Sequence, residues 1–383
     1  MKQALFITYC LSLSSLLISS SSSEDFQHVD WGHYGGDSGG SRYSELSQIN
    51  IENVGSLKVA WEFDTSEEVD LEKSLANQCQ SIVVNRILYG ITSKHKLFAL
   101  NAAIGQELWT FDPYSLPALK ESFHPMHGVV YWGDKRIIYM VGSYLLAVNA
   151  NTRKLIKRFG KKGLGGLLQG LDDESVRGFD VNDYSIRSTL PNVINNNTFI
   201  IGSSVSEGGS ALPGNSRAFK VKSGRLRWVF NTIPLPCEDG YETWAKDSYK
   251  KIGGAHSWAG MVVDQKRGSF FLGTGFLSID FYGADRPGKN LFANCIISLD
   301  ANTGKRAWHF QTVHHDLWDK DIPCPPNLIT VMHEGKRIDA VAQASKDGFI
   351  FIFDRETGKP LFNLEEIDVP VSPELPGEKP WPT

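Results

Sequence analysis

The chain contains 383 residues, of which 41% are hydrophobic and 21% charged, and it carries a formal net charge of −4 at pH 7. These values are typical of a globular protein with a large core and exclude a disordered chain. No basic patch is visible, so nucleic acid is not an expected partner. The 36 glycines, 10 tryptophans and short apolar runs between turn signals favour an all-β fold.

Residues 1–22 have the pattern of a secretory signal peptide. Lys2 supplies a positive charge, residues 5–18 are mostly apolar, and the small residues Ser20 and Ser22 flank a candidate cleavage site. The apolar stretch is short for a membrane span, and no other segment is long and apolar enough to cross a bilayer. We therefore expect an exported, periplasmic protein whose mature domain comprises residues 23–383, without a transmembrane segment.

Four cysteines follow the predicted signal peptide: Cys79, Cys237, Cys295 and Cys324. They lie far apart in the sequence and form no CxxC pair, which argues against a zinc site. Two alternatives remain open. The cysteines of an exported chain could form disulfides, or they could pack as small apolar thiols.

A strand–turn–strand unit recurs along the chain. The clearest copies are LFALNAAIGQELWTF (residues 97–111), RAFKVKSGRLRWVF (217–230) and IISLDANTGKRAWHF (296–310), with weaker copies at 145–159 and 351–362. Each copy is predicted to form an antiparallel hairpin whose turn uses the positive φ of glycine. In the copy at 145–159 the glycine position holds Arg153, which predicts an altered turn.

A tryptophan near the end of the second strand can pack its ring between neighbouring units. We therefore interpret four of the tryptophans as core residues of the fold rather than site residues. Units that are too small to bury a core alone and that are separated by long loops predict a β-propeller. The four residues are Trp61, Trp109, Trp228 and Trp308.

Several longer segments carry a family resemblance. They include WGHYGGDSGGSRYSELSQINIENVGSLKVAW (residues 31–61), GYETWAKDSYKKIGGAHSWAG (240–260), HHDLWDKD (314–321) and SKDGFIFIFDRETGKPLF (345–362). From residue 31 to the last residue the chain resembles the pyrroloquinoline quinone (PQQ)-dependent dehydrogenases, or quinoproteins, and most closely the soluble, glucose-dehydrogenase-like branch.

The resemblance implies an eight-bladed propeller of four-stranded antiparallel blades. PQQ would lie near the central axis with a divalent cation, usually calcium. With SLKVAWEF (residues 56–63), which matches the second strand of the unit alone, the chain shows only about six copies of the repeat before a proline-rich end. We therefore expect a partial propeller that lacks the blades closing the ring.

The resemblance also implies a base and a metal site. Asp319, in the motif His-Asp-x-Trp-Asp, corresponds to the catalytic aspartate, and Glu207 corresponds to a metal-ligating glutamate. An isolated loop Asp more often caps a turn, and an isolated Glu is usually solvated. Asp321 would point to the same side as Asp319 on an extended segment, which makes both aspartates candidate metal ligands and leaves room for a lanthanide. Phe276 stands near the family's ligating asparagine, so Asp280 is the candidate substitute.

Lys346 corresponds to the residue that hydrogen-bonds the quinone oxygens, and Trp258 to the aromatic floor under the cofactor ring. Each residue type is more often a surface charge or a packing residue outside such a motif. His127 replaces an arginine of the family and would bind a carboxylate more weakly. PQQ is a tricarboxylate, so polar groups are expected around it. Those implied by the resemblance are Ser188, Thr189, Ser204, Gln78 and His127.

Three neighbouring residues receive no chemical role. Asp316 would lie on the opposite side of an extended segment from Asp319. His314 and His315 form an adjacent pair, which faces opposite sides of a strand, and we interpret them as orienting or structural residues.

The expected function is PQQ- and cation-dependent oxidation of a sugar or another alcohol. Electrons would pass to a quinone or cytochrome acceptor, and no CxxCH motif for c-type haem occurs in the chain. Two alternatives are a non-catalytic propeller that serves as a scaffold or interaction module, and a truncated, inactive dehydrogenase.

Overall fold

A computed structural model describes residues 29–67, 77–121, 124–171, 186–189, 192–209, 211–367, 369–370 and 378. The predicted signal peptide lies outside these residues. Within them the regular structure consists of β-strands and four single-turn 3₁₀ helices, Val54–Ser56, Pro113–Ser115, Tyr241–Thr243 and Ser248–Lys250, without an α-helix. A helix long and apolar enough to span a membrane is not found in this part of the chain.

The strands form antiparallel sheets in which sequential strands pair. Blade 1 comprises β1 (Ile82–Val84), β2 (Ile87–Ile91), β3 (Leu97–Asn101) and β4 (Glu107–Phe111). Blade 2 comprises β5 (Val130–Trp132), β6 (Arg136–Val141), β7 (Tyr144–Asn149) and β8 (Lys154–Leu155), and β9 (Leu164–Gly166) also pairs with β7.

Blade 3 contains β11 (Val193–Asn195), β12 (Thr198–Ile201), β14 (Ser216–Lys220) and β15 (Leu226–Phe230). A short ribbon beside it joins β10 (Ile186–Arg187) to β13 (Ser204–Val205). Blade 4 contains β16 (Met261–Asp264), β17 (Ser269–Gly273), β18 (Cys295–Asp300) and β19 (Arg306–Gln311), and blade 5 contains β20 (Asn327–His333), β21 (Lys336–Ala344) and β22 (Ile350–Asp354). These sheets confirm the predicted all-β propeller fold, whereas the number of blades in a full ring stays a prediction.

The first strands of successive blades lie side by side. β5 contacts β11, β11 contacts β16, and β16 contacts β20. The segment 31–40 crosses these inner strands: Trp31 pairs with Val83 of β1, the Ser38 carbonyl accepts from Val263 of β16, and the Gly39 carbonyl accepts from Leu328 of β20. The first motif of the chain therefore holds blades 1, 4 and 5 to one another.

Tryptophans connect blade 3 to blade 4 and blade 4 to blade 5. Trp228, on the last strand of blade 3, donates its indole N–H to the Ala301 carbonyl of blade 4 at 3.2 Å. Trp308, on the last strand of blade 4, donates to the Arg355 carbonyl of blade 5 at 3.1 Å. The indole rings therefore satisfy their polar group on a neighbouring turn, as predicted for packing between units.

The turn glycines lie directly under these rings. A Cβ built on Gly304 would stand 2.7 Å from the Trp228 ring, and one on Gly358 would stand 2.5 Å from the Trp308 ring. Their φ angles of 72° and 71° are also in the left-handed region. Each position therefore requires glycine for two reasons: the left-handed φ of the turn and the close approach of the ring.

Arg153 forms the same turn as the glycines that it replaces. Its φ is 61°, and its N–H donates to the Asn149 carbonyl at 2.8 Å, as Gly304 N–H donates to the Asp300 carbonyl at 2.8 Å. The altered turn predicted from the sequence is therefore wrong, because the hairpin geometry imposes the left-handed conformation on a non-glycine residue.

The cysteines of the described residues, Cys79, Cys237, Cys295 and Cys324, are unpaired thiols. Cys295 is fully buried in blade 4, and Cys237 is exposed. For these four cysteines the structure selects free thiols over disulfides, although the exposed Cys237 is not packed as the second alternative predicted.

Replacing Gly304 with alanine tests the docking contact. We expect Gly304→Ala to lower the free energy of unfolding by about 1–2 kcal/mol from the left-handed φ and by a further ~1–3 kcal/mol from overpacking against Trp228. Gly335→Ala is the matched control, because Gly335 has a φ of 75° and no neighbour within 4 Å of its Cβ position. Denaturant unfolding of both variants measures the difference, and equal losses would remove the ring contact as a cause.

His309 should make stability depend on pH. Burial, with the charge of Arg306, lowers its pKa from 6.5 to about 4, and Arg306 Nη1 lies 2.8 Å from His309 Nδ1. The unfolded chain therefore binds a proton at higher pH than the folded chain. The contribution of His309 to the free energy of unfolding is therefore complete above pH 6.5 and is lost as the pH falls towards 4.

The measurement is the difference in unfolding free energy between the wild type and His309→Gln across this pH range. We expect the difference to shrink as the solution becomes more acidic. A constant difference would show that His309 does not titrate in this way.

Candidate functional site

The topology of the blades gathers the predicted site residues at one end of the propeller. In a four-stranded antiparallel blade, the loop that leads into the first strand and the loop between the second and third strands emerge at the same end. We call this the site end. All of the predicted site residues lie on such loops or on the short ribbon at that end: Gln78, His127, Ser188, Thr189, Ser204, Glu207, Trp258, Asp280, Asp319, Asp321 and Lys346.

The Asp319 carboxylate forms an ion pair with the Lys346 ammonium through Oδ2. Its other oxygen, Oδ1, is buried and has no hydrogen-bond partner among the described residues. Asp319 also has a left-handed φ of 54°, so the extended segment expected from the sequence is not formed. One oxygen of this carboxylate is thus neutralised, and the other is a buried acceptor that none of the described residues satisfies.

Asp321 is held by two donors. Its side chain is 4% exposed, Oδ1 accepts the Phe276 N–H at 2.7 Å, and Oδ2 accepts the Trp258 indole N–H at 3.0 Å. Burial raises the pKa of Asp321 to about 7, with a smaller increase from the charge of Asp319, although both hydrogen bonds and Lys346 oppose the shift. Phe276, which cannot ligate a metal through its ring, contributes its backbone amide here.

Lys346 keeps its proton. Partial burial lowers its pKa, but the hydrogen bond and charge of Asp319, together with the charges of Asp321 and Asp280, outweigh this effect and raise the pKa overall. Its side chain is 46% exposed. The site end therefore presents a permanent cation to the solvent beside two aspartates.

Glu207 and Asp280 are the two other acidic residues of the predicted metal site. The Asp280 N–H approaches the Glu207 carbonyl at 3.4 Å, and Asp280 Oδ1 is buried and unpartnered within the described residues. Burial raises the pKa of Asp280, followed by the negative charges of Asp319 and Glu207. The charges of Asp319 and Glu207 therefore act on Asp280 in addition to its burial.

The acidic side chains of the predicted metal site are not arranged as a complete set of metal ligands. Across the part of the chain that the structure describes, no three His, Cys, Asp or Glu side chains are arranged to hold a metal ion. The two unpartnered oxygens, Asp319 Oδ1 and Asp280 Oδ1, nevertheless have the hard, anionic character that calcium prefers. The predicted metal ligands therefore stay a prediction, and these two atoms fit it.

Contacts between neighbouring blades connect the predicted cofactor residues. His127 Nε2 lies 3.0 Å from Gln78 Oε1, His127 N–H donates to the Thr189 carbonyl at 2.9 Å, and Thr189 Oγ1 donates to the Trp258 carbonyl at 3.2 Å. Burial lowers the pKa of His127, so the imidazole favours the neutral form. An arc of polar groups therefore runs from Gln78 to Trp258 and on to Asp321.

Ser188 is fully buried, and Ser204 lies on β13, where it pairs in register with Arg187 of β10. The ribbon therefore places Ser204 beside an exposed cation that the sequence analysis did not select. The Arg187 guanidinium is a suitable group to contact an anionic ligand. In the sequence, its position directly before the Ser188–Thr189 pair was the feature that could have identified it as a site residue.

His256 was also missed. It is 4% exposed, and burial lowers its pKa to about 4, opposed by the charge of Asp319 and assisted by that of Arg187. A neutral imidazole therefore lies close to Asp319. The signal was present, because His256 lies in the GGAHSWAG motif from which Trp258 was selected.

The histidine pair lies after the end of β19 and not on a strand, so its orienting or structural role stays a prediction. His314 contacts Gln311 and Glu366, and His315 Nδ1 lies 3.1 Å from the Gly288 carbonyl. The two rings therefore bond to different loops, and both have partners away from Asp319.

The comparison with known families decides what the site belongs to. Residues 31–383 match the family described as PQQ: Glucose/ethanol/alcohol dehydrogenase, beta-propeller domain. The chain belongs to this family of PQQ-dependent dehydrogenases. The resemblance predicted from the sequence is thereby confirmed.

Curated relatives of the family act on different substrates by name. The chain is 32% identical to the quinoprotein glucose dehydrogenase of Escherichia coli, over 89% of this chain and 44% of the relative. It is 31% identical to the quinate/shikimate dehydrogenase (quinone) of Acinetobacter baylyi, over 92% of this chain and 46% of the relative. The chain thus spans about half the length of the curated relatives that it matches.

Solved structures confirm the fold. The quinohemoprotein alcohol dehydrogenase from Comamonas testosteroni superposes with a TM-score of 0.74 at 25% identity, over 93% of this chain and 52% of that protein. A europium-containing methanol dehydrogenase gives a TM-score of 0.71 at 22% identity, over 92% of this chain and 61% of that protein. The second similarity shows the shared fold alone.

Gly275→Ala tests how tightly Asp321 is held. A Cβ at Gly275 would stand 2.4 Å from Asp321 Oδ1, and the carboxylate cannot move without losing a hydrogen bond. We expect a loss of about 1–3 kcal/mol in unfolding free energy. Gly166→Ala, whose added Cβ meets nothing within 4 Å, should change stability by less than about 0.5 kcal/mol. Equal effects of the two variants would contradict the tight packing around Asp321.

Proposed function

We propose that the protein oxidises a sugar or another alcohol with PQQ and a divalent cation, taking up the substrate proton on Asp319. One observation carries the proposal: at the site end of a PQQ-family propeller, Asp319 has one carboxylate oxygen paired with Lys346 and the other buried without a hydrogen-bond partner among the described residues. A scaffold gains nothing from an unpartnered buried carboxylate oxygen, which costs stability.

The residues at the site end fit PQQ. PQQ supplies an electron-poor quinone that accepts the hydride of the alcohol. Lys346 offers an ammonium for its oxygens, and Trp258 offers an indole ring whose N–H is fixed by Asp321. The polar groups proposed to bind the cofactor carboxylates are Gln78, His127, Ser188, Thr189 and Ser204.

Asp319 is the proposed general base. A base must reach the hydroxyl proton with an oxygen that is not already engaged, and Oδ1 satisfies this condition. Oδ2 remains bonded to Lys346, which holds the carboxylate in place. The hydroxyl proton would move to Asp319, and the carbinol carbon would lose its hydrogen as a hydride and become a carbonyl.

We propose calcium as the cation, with a lanthanide as the alternative. Glu207, Asp280 and Asp321 would provide carboxylate oxygens, which are the ligands that such hard ions prefer. Asp319, the fourth candidate ligand from the sequence, is assigned to the base instead, because its Oδ2 is bonded to Lys346 and its Oδ1 takes the proton. The mutual repulsion that raises the pKa of Asp280 would be relieved by a positive ion at this position. A bound cation would supply Lewis acidity at the reacting oxygens.

The substrate and electron acceptor are proposed from the relatives. Their printed names include glucose dehydrogenase and quinate/shikimate dehydrogenase (quinone), which support a polyhydroxylated substrate and a quinone acceptor, with a cytochrome as the alternative. The signal-like residues 1–22 support export and activity in the periplasm.

Asp319→Asn tests the base. Because an amide cannot accept the hydroxyl proton, we expect turnover of the full-length chain, reconstituted with PQQ and calcium, to fall by a factor of about 10²–10⁴. Asp347→Asn is the matched control: Asp347 follows Lys346 in the same loop and pairs with Lys320 at 3.3 Å. Undiminished turnover by Asp319→Asn would exclude Asp319 as the base.

Titration of the same full-length chain with PQQ, with and without calcium, separates this function from a scaffold role. Saturable binding that weakens in Lys346→Met supports the dehydrogenase. The absence of PQQ binding by the wild type would instead favour the non-catalytic propeller.

A further inference from the structure

The residues immediately before and after Asp319 both donate their main-chain N–H groups to one buried carboxylate, that of Asp316. Asp316 is 4% exposed. Its Oδ1 accepts the Trp318 N–H at 2.8 Å, and its Oδ2 accepts the Lys320 N–H at 2.7 Å. The main chain that carries Asp319 is therefore fixed immediately before and immediately after it.

Asn294 attaches this arrangement to blade 4. It is fully buried and lies one residue before β18. Its Nδ2 donates to Asp316 Oδ2 at 2.9 Å and to the Lys320 carbonyl at 2.9 Å. The buried Arg286 also donates to the Asp316 carbonyl at 2.6 Å. The loop is thus bound by two buried side chains from the segment that leads into β18.

The clamped segment holds a conformation that a loop would not otherwise favour. Asp319 has a φ of 54°, in the left-handed region that residues with a Cβ rarely adopt. A change to an ordinary φ would swing its carboxylate away from Lys346. The hydrogen bonds on its two neighbours oppose that change.

We propose that Asp316 and Asn294 form a clamp that positions Asp319 for proton abstraction. Asp316 is a positioning residue and does not itself meet the substrate. The inference rests on the proposed function, because it concerns the geometry of the base. It gives Asp316 a role that its place in the sequence did not suggest.

The clamp requires a carboxylate. Asp316 accepts from three donors, namely the Trp318 and Lys320 N–H groups and Asn294 Nδ2. An asparagine at 316 has one acceptor oxygen and presents an NH₂ group to at least one of these donors. Asp316→Asn therefore loosens the loop with little change in volume.

The experiment compares Asp316→Asn with the wild type in the full-length chain reconstituted with PQQ and calcium. We expect kcat to fall by a factor of about ten to a hundred, because a shift of about 1 Å in a reacting group has an effect of this size. KM and the dissociation constant for PQQ should change less than about threefold, because binding groups on other loops remain in place. In the Asp319→Asn background, Asp316→Asn should lower the residual kcat no further.

Amide hydrogen exchange provides a readout that does not depend on activity. The Trp318 and Lys320 amides should exchange at least about tenfold faster in Asp316→Asn, because their acceptors are lost. Asp347→Asn, which alters the contact with the Lys320 side chain and leaves the main-chain bonds intact, should change neither these amides nor kcat.

The possible failures are distinguishable. If the wild type turns over alcohols with PQQ and Asp316→Asn retains its kcat, or lowers kcat equally in the Asp319→Asn background, the clamp is wrong and the proposed function stands. Unchanged exchange at Trp318 and Lys320 also overturns the clamp. If the wild type shows no PQQ-dependent turnover, the proposed function falls, and the positioning role falls with it.

Discussion

The contact on which the rest of the structure depends is the packing of a tryptophan from one blade onto the glycine turn of the next. Each blade is a small twisted sheet that cannot cover its own apolar faces. Trp228 and Trp308 bridge successive blades through their rings and through their N–H groups. The repeated contact sets the spacing between blades, and the blade spacing in turn sets the distances between the loops at the site end.

Those loops carry the predicted site residues because of a simple property of antiparallel blades. The loop into the first strand and the loop between the second and third strands share one end of the sheet. Asp319 and Asp321 therefore come from the connection between blades 4 and 5, whereas Lys346 comes from within blade 5. The ion pair between Asp319 and Lys346 joins these two loops. The opposite end of the blades carries the hairpin turns that receive the tryptophans. The contacts between blades and the predicted site residues therefore lie at opposite ends of the blades.

Much of this arrangement could be predicted from the sequence, and the exceptions have physical causes. The repeat and its glycine turns predicted the blades, because local hairpin geometry is encoded by adjacent residues. Arg153 was predicted to change its turn and does not, because strand pairing on both sides imposes the left-handed conformation. Asp316 was set aside on the assumption of an extended segment, whereas the loop folds back on its carboxylate. His256 was passed over although it lies in a motif that had already been selected.

The sequence by itself determined the all-β repeat, the family, and the residue types available for the chemistry, because these features reside in local patterns and in motifs. Only the tertiary structure decided how those residues act on one another. The raised pKa of Asp321, the burial of His256 and the Asp319 and Asp280 oxygens that no described residue satisfies all depend on how loops from distant parts of the chain pack together. Burial and charge interactions depend on distances across the fold, and no spacing along the chain specifies them.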